Sequence, residues 1–419
     1  MALPVVERAI GLAARSCSVP DDLAPITHRG DEQGDSDVAD AIWSLVEPVY
    51  RSGMHPAIQV CIRHRGEVVI DRAIGHARGN LPGRRFDPAA AVPLTVTTPI
   101  NLFSAAKGVT AMTMHKLEEQ GVLSLDDRVA DHIPGFERHG KGAITIRDVL
   151  SHRAGIPTLP PEAFDLDLLT DHDAVEQLLR DLRPSRERGG SPAYHAVTGG
   201  FVMEAVSRRA SGRSLREVLA TEIKEPLGLD WLDFGVGPDD AEHVAKNIET
   251  GFPLGLAVGS FLKRAVGEAW TPLLRMSNDD RFLTGVIPSG NAIVTARDIS
   301  AFYQCLLNGG ELDGTRVFDE ATVAKATRPV REEIDIDRMI GLPIRYSNGF
   351  MLGSDSVSIF GWNHPRAFGH VGMSNLFTWA DPERELVVAL LTTGKPVFGT
   401  HMVSLVRLFT GIHETFTGS

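Results

Sequence analysis

The sequence predicts an α/β (α+β) protein in which one antiparallel β-sheet, flanked by helices, is built from the N- and C-terminal parts of the chain. A mostly helical domain is inserted between those parts. Three observations predict this. Near the start, Ala57-Ile-Gln-Val-Cys-Ile-Arg-His64 and Glu67-Val-Val-Ile-Asp-Arg-Ala-Ile74 read as two strands meeting at Arg65-Gly66, a hairpin signal. Near the end, Asn375-Leu-Phe-Thr-Trp379 and Glu385-Leu-Val-Val-Ala-Leu-Leu391 read as paired strands around the turn Asp381-Pro-Glu-Arg384. Between the two ends, helical spacing dominates. The resulting division is an arm over 1–36, a sheet domain over 37–85 and 280–419, and a helical domain over 86–279. Such a layout leaves a cleft between sheet and helices, a common place for an active site.

The elements follow in order. The arm is mixed in character and ends in the acidic Gly30-Asp-Glu-Gln-Gly-Asp-Ser36, the composition of a partly disordered linker. Val38, Ile42, Leu45, Val46 and Val49 recur at helical spacing. Residues 78–98 are rich in Pro and Gly and read as loop. The extended run Pro99-Ile-Asn-Leu-Phe103 leads into a helix that starts near Ser104 and closes at Gln120-Gly121, with glycine as the C-cap. Ser124-Leu-Asp-Asp127 and Thr145-Ile-Arg-Asp148 both carry the Ser/Thr-x-x-Asp/Glu pattern of a capping box. Helical segments are expected near 172–182, 196–211 and 214–223. Gly251 to Leu262 reads as an apolar loop interrupted by Gly and Pro, either core or the wall or lid of an acyl-chain site. Turn residues lead into a helix from Ala296 to Leu307, closed by Asn308-Gly-Gly310, and residues 400–413 form a last helix.

Composition narrows the function. The chain has 419 residues, of which 43% are apolar, enough for a sizeable core. Its net charge of −12 argues against nucleic acid or an anionic membrane as partner. Three distant cysteines, Cys17, Cys61 and Cys305, form no disulfide or metal framework. No apolar run of about 18 residues exists, so no membrane span is expected. The start lacks a basic region followed by a long apolar core, which reads as cytoplasmic. The histidines are scattered, with no His-Glu-x-x-His, so no metal is expected. Phosphate-cradling glycine loops and the Gly-x-Ser-x-Gly elbow are also absent. Nothing in the sequence fixes an oligomeric state.

Ser104-Ala-Ala-Lys107 carries the most chemistry. On a helix the serine and lysine share one face, a single turn apart. A serine hydroxyl is a poor nucleophile at neutral pH and needs a base within hydrogen-bond reach. A lysine kept neutral by burial can be that base. The bland alternative is a serine that merely caps a helix. With 24 serines and 8 lysines, about half a chance match to Ser-x-x-Lys is expected, and Ser260-Phe-Leu-Lys263 is a second match. Small neighbours (Ala105, Ala106, Gly108) favour the first, because they permit close packing and substrate approach. Tyr194, at a loop–helix junction in Ser191-Pro-Ala-Tyr-His195, can point into a cleft, where neighbouring cations would favour its phenolate. It can equally be a core tyrosine. His370, in Phe368-Gly-His-Val-Gly-Met373, lies on a strand flanked by glycines, which often mark close approach of a ligand or another backbone; the alternative is a structural histidine on a Gly-rich turn.

Together these pieces resemble the serine β-lactamase/penicillin-binding superfamily, in particular its class C-like branch and the related family VIII carboxylesterases. The resemblance is ordered from about residue 38 to 412. It also rests on Leu117 to Val129, Ile144 to Ile156, Glu225-Pro-Leu-Gly-Leu229, Thr295-Ala-Arg-Asp298 and Leu307-Asn-Gly-Gly310. The family's Tyr-x-Asn motif reads Tyr194-His195-Ala196 here, so the asparagine that helps hold an amide side chain is gone. Its Lys-Thr-Gly motif reads His370-Val371-Gly372, so a cation that would pair with a substrate carboxylate is gone. The resemblance therefore implies a β-lactamase/transpeptidase-like fold and a serine hydrolase of neutral, small-molecule esters that needs no cofactor. It implies a Ser104 nucleophile, a coupled Lys107/Tyr194 base, and an oxyanion hole from the backbone N–H groups of Ser104 and Met373. It also implies substrate contacts from His370, Gly372 and His195. A β-lactamase or D-alanyl-D-alanine carboxypeptidase, an acyltransferase on the same scaffold and an inactive binding protein are the alternatives.

Overall fold

The computed structural model describes residues 14–417. Its main sheet joins strands from both ends of the chain. The early strands are β1 (Thr27–Arg29), β2 (Ala57–His64), β3 (Glu67–Arg78) and β4 (Val92–Pro93). Three short strands follow, β5 (Ile100–Asn101), β6 (Leu232–Phe234) and β7 (Ala292–Val294). The late strands are β8 (Asp335–Ile336), β9 (Pro343–Tyr346), β10 (Met351–Leu352), β11 (Phe368–Gly372), β12 (Leu376–Asp381) and β13 (Leu386–Thr392). The order across the main sheet is β1-β3-β2-β13-β12-β11-β10-β9-β8, antiparallel throughout, with β4 added to β3.

The β2–β3 hairpin turns on Arg65 (φ 53°) and Gly66 (φ 86°). Two successive positive φ values match the twist of the flanking strands. The seam between the chain's two ends is β2 against β13, in register from Leu386↔His64 to Thr392↔Ile58. Every residue of β13 is buried because both faces of the sheet are covered. Its alternating side chains divide accordingly. Leu386, Val388 and Leu390 pack with helix α1 (Ser36–Arg51) and the last helix, whereas Val387, Ala389 and Leu391 pack toward the helical region. Asp35 caps α1, accepting a hydrogen bond from Asp37 N at 2.8 Å.

The arm is partly built into the fold. Residues 1–13 of that expectation lie outside the described residues. Beyond them, β1 adds an edge strand to β3, and Ser18 exchanges hydrogen bonds with Asn80. This part is ordered structure, because its polar backbone finds partners on β3 and on the 78–98 loop.

The region between the sheet's two contributions is mainly helical. It includes α2 (Ala106–Glu119), α3 (Thr198–Ser211), α4 (Leu256–Val266) and α5 (Trp270–Met276). Helix α6 (Ala296–Leu307) packs on the inner face of the sheet and α7 (Met402–Thr417) crosses α1 on the outer face. Two expectations are corrected here. Ser124–Asp127 makes the hydrogen bonds of a tight turn (Asp127 N to Ser124 O, 2.9 Å), and the next helical turn begins only at Val129. Thr145 does cap a helix, Ile146–Leu150, with the reciprocal Asp148 bond. The predicted loop at 251–262 is largely helix: α4 starts after Gly255, which supplies no side-chain cap, so no cap signature marks it. Ser260 and Lys263 both stand exposed on that helix.

Candidate active site

The short sheet β5-β7-β6 seats the candidate nucleophile. Leu102 N donates to Ala292 O at 2.8 Å, and the chain then turns sharply through Phe103, whose φ is +49°. A bulky residue rarely adopts this left-handed conformation. One 3₁₀ turn, Phe103–Ala105, leads directly into α2. Most of α2 is buried on every side, which explains its small residues: a Cβ on Gly108 would lie 2.9 Å from the Phe350 ring and 3.0 Å from the Tyr303 hydroxyl.

This geometry brings Lys107 Nζ to 3.2 Å from Ser104 Oγ. Nζ also donates to Ala196 O at 2.8 Å and Ser289 O at 3.1 Å. Among the described residues no carboxylate pairs with it, and burial pulls its pKa from the usual 10.5 to about 7. A neutral amine has two N–H groups and one lone pair. The two carbonyls take the N–H groups, so the lone pair faces the serine hydroxyl and can accept its proton.

Tyr194 arrives from the loop before α3. Its ring centroid is 4.8 Å from Lys107 Nζ, and the Ser104 hydroxyl lies near enough to its phenol to favour the phenolate. The expectation of a favoured phenolate is corrected. Burial dominates and pushes the phenol up, with the Ser104 hydroxyl opposing. Tyr194 is therefore a neutral phenol at rest, able to hand over a proton.

Two residues that the sequence did not single out hold this loop. Asp337 is fully buried and accepts from Tyr194 N at 3.2 Å, Met339 N at 2.8 Å and the Tyr346 hydroxyl at 3.1 Å. Ser289, besides its carbonyl bond to Lys107, accepts from Gly200 N at 2.8 Å through Oγ. No local signal marks either one: each acts on Tyr194 or Lys107 from far along the chain. The Ser-Gly-Asn turn at 289–291 was the nearest hint for Ser289.

The predicted contact histidines sit behind the cleft wall. His195 is fully buried, accepts from Ile156 N at 3.3 Å through Nε2, and lines a cavity of about 30 Å³ behind Lys107 with His152. His370 is buried beneath Tyr194, with ring centroids 6.1 Å apart. Burial, reinforced by Lys107, lowers its pKa to about 3, so it is a neutral imidazole. Neither histidine lines the cleft in front of Ser104. Gly372 and Met373 do. A Cβ on Gly372 would lie 2.4 Å from Leu102 O, so β11 approaches the nucleophile's own loop more closely than any side chain permits.

That cleft measures about 270 Å³. Its wall comprises Phe103, Phe164, Phe282 and Met373, together with Leu262 and Val266 of α4 and Trp270 of α5. No charged side chain lines it among the described residues. The 251–262 segment is thus partly wall, through Leu262, while Leu256 is 93% exposed. No cluster of three or more His, Cys, Asp or Glu side chains suited to a metal occurs among the described residues.

Comparison with known proteins agrees with this architecture. The chain is 33% identical over 319 residues to the esterase/beta-lactamase LipL of Mycobacterium tuberculosis, covering 73% of this chain and 71% of that protein. A penicillin-binding protein homologue from Caulobacter crescentus superposes with a TM-score of 0.76 at 26% identity, covering 92% of this chain and all of that one (100%). A family VIII carboxylesterase superposes with a TM-score of 0.75 at 26% identity, covering 91% and 99% of the two chains. The beta-lactamase family model matches residues 44–408. The chain belongs to the beta-lactamase family.

Proposed function

We propose that this protein is a serine hydrolase of neutral carboxylic esters. One observation carries the reading: Lys107 Nζ, whose pKa burial lowers to about 7, lies 3.2 Å from Ser104 Oγ with two backbone carbonyls, 2.8 and 3.1 Å away, placed to take its N–H groups. The names of its relatives, an esterase/beta-lactamase and a family VIII carboxylesterase, support the same chemistry.

Lys107 takes the Ser104 proton as Oγ attacks the ester carbonyl. The developing oxyanion sits between the backbone N–H groups of Ser104 and Met373. The Ser104 N–H is free for this because the first N–H groups of a helix have no partner within it. Losing one such donor typically costs about 100–1,000-fold in rate. Tyr194, a neutral phenol next to the nucleophile, passes a proton to the leaving alcohol and recovers it from the water that hydrolyses the acyl-enzyme, while Lys107 returns its proton to Ser104 Oγ as the acyl bond breaks. His370 and His195 hold the wall and the Tyr194 loop; they do not touch substrate. We retain the division into a sheet domain and a helical domain as part of this proposal, with the cleft at their junction.

The cleft's apolar, uncharged lining supports esters over β-lactams or D-alanyl peptides, whose carboxylates would face no cation there. Its volume is nearly twice the roughly 150 Å³ that accommodates a benzene in an engineered protein cavity. It therefore suits an acyl group longer than acetyl. A fluorophosphonate probe tests the proposal: it adds its mass at Ser104 and not in Ser104→Ala. An unmodified Ser104 in active protein would refute it.

A further inference from the structure

A second lysine, Lys395, is fully buried next to the site, and the mechanism above does not use it. Its Nζ donates to Thr392 O at 2.5 Å and lies 5.0 Å from the centroid of the Phe103 ring. Trp270 Nε1, from the cleft wall, donates to Lys395 O at 3.2 Å, and Lys395 N donates to Ile248 O at 2.8 Å. Among the described residues, no acidic side chain pairs with it. An uncompensated buried amine is costly.

The same short segment grips the other side of the site. Thr392 Oγ1 donates to Asn375 O at 3.0 Å, and Pro396 O accepts from the Ser374 hydroxyl and, at 3.5 Å, from Asn375 Nδ2. Ser374 (φ 51°) and Asn375 (φ 58°) are both in the left-handed region, so the turn after Met373 needs such external support. Phe103, in the same strained region at φ 49°, immediately precedes Ser104. The two backbone donors assigned to the oxyanion hole thus each adjoin a strained turn. Both turns are tied to residues 392–396.

We infer that Lys395 is a positioning residue: it clamps the Phe103 ring against the segment that holds the Met373–Asn375 turn, and so sets the spacing between the Ser104 and Met373 N–H groups. This rests on the reading of Ser104 as nucleophile. Phe103 is restrained by the Lys395 amine over its ring face, and the 392–396 turn is closed by the bond to Thr392 O. Loosening this link leaves the fold intact but lets the oxyanion donors drift. A misplacement of about 1 Å can cost about 100-fold in rate.

The test is kcat and KM for p-nitrophenyl esters in Lys395→Met, Lys395→Arg, Phe103→Leu and Lys395→Met/Phe103→Leu, with thermal unfolding measured on each. Lys395→Met is expected to lose about 10- to 100-fold in kcat with KM within about twofold. Lys395→Arg, which keeps N–H donors at that place, recovers most of the loss. The double variant loses no more than the worse single one, because both changes break the same link. Wild-type kcat in Lys395→Met, equal losses in Met and Arg, or fully additive losses would overturn the inference. Should Lys395→Met not fold, Lys395→Gln against Lys395→Arg answers the same question. Fluorophosphonate labelling keeps the two readings apart. Wild-type protein that is not labelled at Ser104 removes the hydrolase reading. Labelled wild type with an unimpaired Lys395→Met removes only the clamp.

Discussion

Replacing Lys107 by methionine should destroy activity and change the stability of the fold by an amount that depends on pH in a calculable way. In the folded protein the amine titrates near 7; in the unfolded chain it titrates at the usual 10.5. Between those values the unfolded state binds a proton that the native state does not. Stability therefore rises with pH across the window from about 7 to 10.5, and the penalty for burying the lysine is largest at and below pH 7. The fall from 10.5 to about 7 corresponds to about 5 kcal/mol at low pH, roughly 4 kcal/mol at pH 7 and about 2 kcal/mol at pH 9. Methionine escapes that penalty but leaves Ala196 O and Ser289 O without their donor, at about 1–3 kcal/mol each. The absolute gain at pH 7 is thus small. The informative quantity is the difference between variant and wild type, which should shrink by roughly 2 kcal/mol between pH 7 and pH 9. Urea unfolding at four pH values measures it, and Lys395, present in both proteins, cancels. A difference that does not change with pH would mean that Lys107 remains charged in the native state, and the base assignment would fail.

Three further outcomes follow from the same geometry. Tyr194→Phe keeps the ring packing against Lys107 but removes the phenol proton; kcat for p-nitrophenyl esters should fall by about 100- to 10,000-fold with unchanged thermal unfolding, and a mild effect would remove Tyr194 from the mechanism. Gly372→Ala places a methyl 2.4 Å from Leu102 O, so β11 must back away and carry Met373 with it. Activity should drop by about 100-fold and stability by about 1–3 kcal/mol, read by kinetics and urea unfolding, and wild-type kinetics would refute the packing argument. Leu262→Trp fills part of the cleft from α4, so the ratio of kcat/KM for octanoate over acetate esters should fall severalfold; an unchanged ratio would show that the acyl chain lies elsewhere.

Much of this arrangement was legible in the chain because it is local. The β2–β3 hairpin announces itself through Arg65-Gly66, and β12 and β13 through alternation around Asp381-Pro-Glu-Arg384. Ser104 and Lys107 are one helical turn apart, so their proximity needs no tertiary information. What was illegible depends on distant packing. Asp337 and Ser289 reach Tyr194 and Lys107 across 143 and 182 residues, and nothing in their immediate sequence encodes that contact. His195 and His370 stand beside motif residues, which made them look like substrate contacts, yet both side chains turn into the protein behind the wall. Helix α4 was hidden because Gly255 caps it without a side chain and Pro253 and Gly259 imitate a loop. The Ser124 box shows the converse: capping chemistry closes a turn just as well when no helix-forming run follows.

The central claim is that an uncharged Lys107 deprotonates Ser104. The rate at which a fluorophosphonate modifies Ser104, followed by intact mass across pH 5 to 9, tests it most directly. The account predicts a single rise with a midpoint near 7, lost in Lys107→Met. Labelling that is flat with pH, or that survives unchanged in Lys107→Met, would contradict it.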